Sequence, residues 1–494
     1  MIIKNNPECV STDQVVLFPF DDYSIPFQHG VRLHLVRYKA AVDHTRIVVK
    51  PGPPGSPDCG GVIYYGTVHR VGDELWMWYL GQGEDGPWLE RMCLAKSRDG
   101  YNWEKPELGL VEYKGSTRNN LVNMLDGQHH IKACVVYYEP DDPDPLRKFK
   151  AIIETTKYST LFTVAFSEDG LQWYEAERRP EVPACEMSGG TKFNGCYYLS
   201  GHGGRHFGSL RQLVMFTSYD FEYWIEASCL GFRRENIPPR PMVYGDSQGE
   251  QVHLGASLWN RGNVIVGFYG QWHGPDNDDR RHVEMDLGLV VSNDALHYRE
   301  PIPDFRIVEA GEDDLEHLPT PMNFKHAGLV QGQGFENVGD ETLFWYAPWP
   351  EQLSNGVRVA SWKRDRLGYF QASDVKLNSS QPPHVISAPI DLEGQPACVS
   401  LNIDGLSEYA QITVEILDEC FQPVEGYFGD YCAPLESGLD QAVTWKNQDR
   451  IKNIEGAIRL RLNYIGIRPE DPKLYAIYLK RSGRRRVADL SLRD

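Results

Sequence analysis

The chain has 494 residues, a formal charge of −19, 12% aromatic residues, and 78 Gly plus Pro. Such a length allows two domains with sizeable cores, and turn-rich aromatic composition suits an all-β protein. The acidic balance argues against a nucleic-acid or anionic-membrane partner, and there is no apolar run of about 18 residues to span a bilayer.

The N-terminus, MIIKNNPECVSTDQ, lacks the basic-then-apolar design of a secretory leader. The ten cysteines are scattered, with no CxxC pair and no zinc spacing. A reduced, cytoplasmic protein without a metal or cofactor is expected.

Along the chain, aromatic and β-branched runs alternate with short polar turns. The runs include ELWMWYLG from Glu74, FKAIIETT from Phe149, CYYLSGHG from Cys196, NVIVGFYG from Asn263 and TLFWYAPW from Thr342. Each reads as a strand. After the first four comes one phrase: SRDGYNW from Ser97, SEDGLQW from Ser167, SYDFEYW from Ser218 and SNDALHY from Ser292. A degenerate fifth copy starts at Ser361. The serines are 70, 51, 74 and 69 residues apart. Ser and Asp side chains bind nearby backbone groups and build a tight turn, Gly supplies positive φ, and the aromatic plugs the space between strands. Recurrence at blade-sized spacing predicts five four-stranded sheets around an axis.

The fold expected is therefore all-β: a five-bladed β-propeller followed by a C-terminal β-sandwich. Residues 1–373 are assigned to the propeller, with the N-terminal segment closing the ring. After a polar, proline-ended linker (374–383), residues 384–482 alternate without the phrase, as a sandwich does. Residues 483–494 form a basic tail.

The first strand of each blade should line the axis, so side chains at its start face the channel entrance. These starts bring Asp58, Asp126 and Glu186. They also bring His129, His130, His202, Arg205 and His253, which could bind hydroxyls or set a neighbour's protonation. Trp259 and Trp272 could stack on a sugar ring, and Gln333 and Glu336 could add polar contacts. Each has a plainer reading. Asp58 and Asp126 suit turns, most tryptophans must be inter-blade core, and polar loops collect histidines. Glu186 stands in a small, apolar stretch, where a carboxylate is costly without purpose. The spacing of His202 and His206 would need a helix to hold a metal, and GHGGRHFG is not one. Asp276, Asp278 and Asp279 read as a solvated acidic loop. Asp99, Asp169, Asp220 and Asp294 belong to the repeat turns.

The segment SRDGYNWEKPELGLVEYKGSTRNNLV, the later SYDFEYW, and the C-terminal ITVEILDECFQPVEGY, AVTWKNQ and AIRLRLNY resemble five-bladed propeller proteins related to glycoside hydrolase family 32, with families 43 and 68 as wider relatives. In those relatives three acids on successive inner strands do the chemistry. The resemblance implies Asp58 as nucleophile or base, Asp126 as transition-state stabiliser and Glu186 as general acid. The segments around the first two acids depart from the family's pattern. The function expected is removal of a terminal sugar from a small oligosaccharide or glycoside. A non-catalytic carbohydrate-binding propeller, a sialidase and a phosphorylase are the alternatives. The partner expected is a small carbohydrate, and a homo-oligomer is possible.

Overall fold

The computed structural model describes residues 2–3, 12–39, 47–86, 89–125, 129–158, 161–203, 210–234, 247–275, 279–310, 328–349, 356–373, 381–446 and 448–481. These divide into two compact units. One comprises Arg37–Asn260 and Ile265–Arg364, and the other Met1–Val36, Arg261–Val264 and Asp365–Asp494.

The first unit is the five-bladed propeller. Its inner strands are Gly61–Val71, Ile131–Tyr138, Met187–Phe193, Gly249–Asn260 and Gly328–Val338, each continued outward by antiparallel neighbours. They follow one another round the axis, and the fifth meets the first at Gln333 and Thr67. Ile47–Val49 supplies the outer strand of blade five, beside Val357–Lys363, and so closes the ring.

The repeat phrase forms the same turn four times. In the first, Ser97 Oγ accepts from Gly100 N at 2.9 Å and donates to Asp99 Oδ1, which also accepts from the amides of Tyr101 and Asn102. Ser167, Ser218 and Ser292 repeat this with Asp169, Asp220 and Asp294. The fourth residue of the phrase has positive φ in every copy: Gly100, Gly170, Phe221 and Ala295. Its carbonyl accepts from the phrase's own aromatic, as Gly100 O does from Trp103 Nε1 at 2.9 Å. In two copies it also accepts an indole from the preceding blade: Trp345 on Gly100 and Trp78 on Gly170. Trp345 thereby fastens blade five to blade one.

At the axis the backbones themselves touch. A Cβ on Gly332 would lie 2.6 Å from Gly66 O, and one on Gly189 would lie 2.0 Å from Ala256 O. Every inner strand carries a bulge or irregularity in its pairing. Buried side chains take up the polar groups nearby. The Gln333 amide accepts from Gly190 N (3.2 Å) and Leu258 N (2.7 Å) and donates to Leu258 O (2.6 Å). It therefore joins blades three, four and five. Gln333, expected to bind substrate, is a structural pin.

The second unit is a sandwich of two six-stranded sheets. One orders Ile2–Ile3, Ile390–Asp391, Ala457–Gly466, His384–Ile386 and Phe27–His29, with Ala410–Asp418 also on Ala457–Gly466. The other orders Gly438–Ala442, Ala397–Asp404, Lys473–Arg481, Gly368–Ala372 and Val31–Leu35, with Gln14–Leu17 also on Lys473–Arg481. The division differs from the expected one at both ends. Val15, Leu17 and Phe370 are fully buried in the sandwich core, so their strands belong here rather than to the ring. The linker at 374–380 and the tail beyond 481 lie outside the described residues. Among the described residues no helix is long and apolar enough to cross a membrane.

Replacing Gln333 by Leu keeps its size but strands three buried backbone groups. It should lower stability by roughly 2–4 kcal/mol in urea unfolding of the intact chain, and an unchanged midpoint would show that the pin is dispensable.

Candidate functional site

The starts of the inner strands, the ends of the second strands and the starts of the third strands come together at one end of the propeller. The polar side chains there meet where neighbouring blades adjoin. Where blade one meets blade two, Glu90, which opens Glu90–Ser97, pairs with His130 Nε2. His130 is fixed from behind, because its carbonyl accepts from Thr155 Oγ1 at 2.8 Å and Thr156 N at 3.2 Å. Toward blade three, Glu154 near the end of Phe149–Thr155 ion-pairs with Lys132 Nζ at 3.3 Å. Glu186 enters blade three, and its carbonyl accepts from His202 N at 3.2 Å. That bond brings His202 Nε2 within 3.8 Å of Glu186 Oε2.

The carboxyls differ in environment. Glu154 is buried, and its Oε2 has no hydrogen-bond partner among the described residues. Burial raises its pKa, the Glu186 charge raises it further, and Lys132 and His130 only partly oppose this. Glu186 is nearly half exposed. Cys185, next to Glu186 in the chain, has its thiol pushed up by burial and then by Glu154 and Glu186. A buried carboxyl whose pKa is raised thus neighbours a solvent-accessible one, the pattern that separates acid from base in one pocket.

A second cluster lies on blade four. His273 is 3.0 Å from Glu250 Oε2 and 3.4 Å from Asp286 Oδ2. Arg234, almost wholly buried, reaches Glu250 at 2.5 Å and Asp304 at 3.0 Å, and Arg306 reaches Asp286 at 3.1 Å. Among the described residues, no group of three or more His, Cys, Asp or Glu side chains is placed to hold a metal ion.

The structure brings Glu186, His130 and His202 to this end, with His253 stacked behind His202 at 6.0 Å. Asp58 is elsewhere. It is buried against blade one's own sheet, where Gly81 leaves it room, and it ion-pairs with Lys105. It also accepts from Tyr79 (2.8 Å), Ser56 (3.0 Å) and Gly52 N (3.2 Å). Those donors make it the tether of the loop before blade one. Trp272 is fully buried beneath Arg211 and Arg280, with Nε1 on Ser247 O. Trp259 stacks on Phe335, and Glu336 pairs with Arg70, both toward the far ends of their strands. These two pairs lie at the opposite end of the propeller from Glu186. His129 lies near Glu175 on the outer strand of blade two. Asp126, Arg205, His206, Asp276 and Asp278 lie outside the described residues.

Sequence reasoning passed over Glu90, Lys132 and Glu154. The signal was present, since Glu154 interrupts the apolar run KAIIET just as Glu186 interrupts CEMSGG. A 520 Å³ cavity, lined in part by Tyr101, Trp103, Glu104 and Glu341, lies on another part of the unit, beside the ring-closing strand.

No protein-family model matches the chain, and no curated protein does. Similar solved structures include one described as showing that the GH130 family of mannoside phosphorylases contains glycoside hydrolases targeting β-1,2 mannosidic linkages in Candida mannan. It shares 11% identity over 69% of this chain and 96% of that one, with a TM-score of 0.43. A putative glycoside hydrolase from Parabacteroides distasonis shares 15% over 71% and 98%, with a TM-score of 0.42. A GH32 β-fructofuranosidase from Bombyx mori shares 12% over 89% and 94%, with a TM-score of 0.36. Likeness at this level assigns neither a substrate nor a residue.

If Asp58 is a tether, Asp58→Ala leaves the Lys105 ammonium without its buried partner. It should cost about 3–5 kcal/mol of stability while the turnover of the folded fraction, normalised by active-site titration, stays near wild type. A stable but inactive variant would return Asp58 to the chemistry.

Proposed function

We propose that the chain is a carbohydrate-active enzyme, a glycosidase that removes a terminal sugar, with Glu154 as general acid and Glu186 as the reacting carboxylate. One observation carries this reading: a buried carboxyl whose pKa is raised by burial and by its neighbour's charge stands beside an accessible carboxyl at the entrance end of the inner strands. Glycosidic cleavage calls for such a pair. Glu154 gives its proton to the departing glycosidic oxygen as the bond to the anomeric carbon breaks. Glu186 either attacks that carbon or takes a proton from the water that does.

The crowded hub supports action at a chain end. Inner strands press together around Gly66, Gly189 and Gln333, so a sugar entering from the Glu186 end meets packed backbone below it. Lys132 and His130 supply hydroxyl-binding donors at the rim.

Both Glu154→Gln and Glu186→Gln should lower kcat by about 10²–10⁴-fold on a responsive glycoside. The acid role has its own signature. Glu154→Gln should lose far more on an alkyl glycoside, whose leaving group needs the proton, than on a dinitrophenyl glycoside, which does not. Equal losses on both would remove Glu154 from that role, full activity of Glu186→Gln would remove Glu186 from the chemistry, and no turnover of any glycoside by the intact chain would leave a binding protein instead.

The raised pKa also fixes two pH trends. Activity should fall as pH rises through the Glu154 pKa, because the acid form disappears. Glu154 binds its proton more tightly folded than unfolded, so its contribution to stability is present at low pH and is lost as pH rises. Glu154→Gln should therefore melt higher than wild type at pH 8 and level with it at pH 4. A lower melting point at pH 8 would contradict the burial argument.

A further inference from the structure

The inner strand of blade four loses its regular pairing between His253 and Ala256. Leu254 there has φ +63° and Gly255 has φ +84°. A leucine in the left-handed region is unfavourable by about 1 kcal/mol or more, so something must hold it. Three contacts do. Gln331 Nε2 donates to His253 O and Gly255 O at 2.9 Å each, Ser200 Oγ accepts from Ala256 N at 2.9 Å, and the Leu254 side chain is fully buried in an apolar cluster.

The distortion turns one amide out of the strand ladder. Leu254 N donates to His202 Nδ1 at 3.0 Å. A backbone amide can only donate, so Nδ1 carries a lone pair and the ring proton of neutral His202 sits on Nε2. Nε2 is the atom that faces Glu186. Protonating Nδ1 would set two N–H groups against each other, and the other ring facing His202 is His253.

We infer that His202 is the positioning residue for Glu186: the bulge locks its tautomer so that a neutral N–H, rather than a lone pair, addresses the carboxylate. This rests on the reading of Glu186 as the reacting carboxylate. A donor aimed at an ionised carboxyl favours the charged form and fixes which oxygen stays open to substrate. The 3.8 Å separation is electrostatic contact, of the kind that shortens once a substrate fills the pocket. Because Nδ1 is occupied, His202 is not the proton acceptor, and the acidic limb of the pH–rate profile belongs to a carboxyl.

The first test needs no substrate. Histidine-selective ¹⁵N NMR of the full chain, with the His202 signals assigned by their loss in His202→Gln, should show Nδ1 unprotonated and Nε2 protonated from pH 5 to pH 8. A proton on Nδ1, or a titration within that range, would overturn the inference. The second test is kinetic. His202→Phe removes both ring nitrogens and should lower kcat by up to about 10²-fold, leave KM within a few-fold and move the acidic limb to higher pH. His202→Gln, whose amide can accept from Leu254 N and donate to Glu186, should recover part of the loss. An acidic limb unmoved in His202→Phe would refute the positioning role. If Glu186→Gln stays active while the tautomer is as stated, Glu186 loses its role as the reacting carboxylate and the locked imidazole stands.

Discussion

Five backbones cannot converge on one axis and keep regular ladders. Inner strands in contact leave no room for side chains at Gly332 and Gly189, and every one of them has a bulge or irregularity in its pairing. A bulge leaves backbone polar groups unpaired, and buried groups of that kind must find partners. Here the partners are side chains from the next blade. Thr67 takes Val136 N, Ser200 takes Ala256 N, Gln331 takes two carbonyls of blade four, and Gln333 bridges blades three and four. The same hydrogen bonds that satisfy the hub hold the blades in register. The Leu254 amide follows this rule, and its partner is a histidine in the candidate site. Structure and site are thus tied by one constraint.

The outer part of the wheel has a separate fastening. The repeat turn presents a single carbonyl to two indoles in its first two copies, one from its own phrase and one from the preceding blade. At the third copy, Phe221 occupies the equivalent position and its ring packs on Tyr137 of blade two at 5.0 Å. Apolar contact replaces the hydrogen bond, and Phe221 accepts positive φ to make it. Variation inside the phrase is therefore readable as a change in how neighbouring blades adhere.

This explains what was legible in the sequence. The turns are local, built from residues within six positions, so their recurrence announced the architecture. Ring closure by Ile47–Val49 and the placing of Gln14–Leu17 in the sandwich are long-range pairings, and no local signal encodes them. The site was half legible for a related reason. Glu186 and Glu154 are both charges set in apolar runs, and that anomaly is visible without coordinates. Asp58 and Gln333 looked equally polar, but their partners Lys105 and Leu258 are distant in sequence. Whether a buried polar group is a tether or a reagent depends on whether its lone pairs are already taken, and only the fold decides that.

Charge balance then separates the two polar clusters. On blade four, Glu250, Asp286 and Asp304 meet Arg234, Arg306 and His273. Burial disfavours the imidazolium of His273, yet hydrogen bonds to Asp286 and Glu250 outweigh it and raise its pKa. The cluster is a cross-linked wall of opposite charges. At the junction of blades two and three, Lys132 pairs with Glu154, and the tautomer of His202 sets a neutral N–H toward Glu186. Burial and the Glu186 charge there raise the pKa of the more buried acid, Glu154. A cross-linked wall has little to offer a reaction, whereas a buried acid driven toward its protonated form has a proton to give. Under the glycosidase proposal, the placement of one lysine and one locked imidazole, more than the number of carboxylates, sets that junction apart.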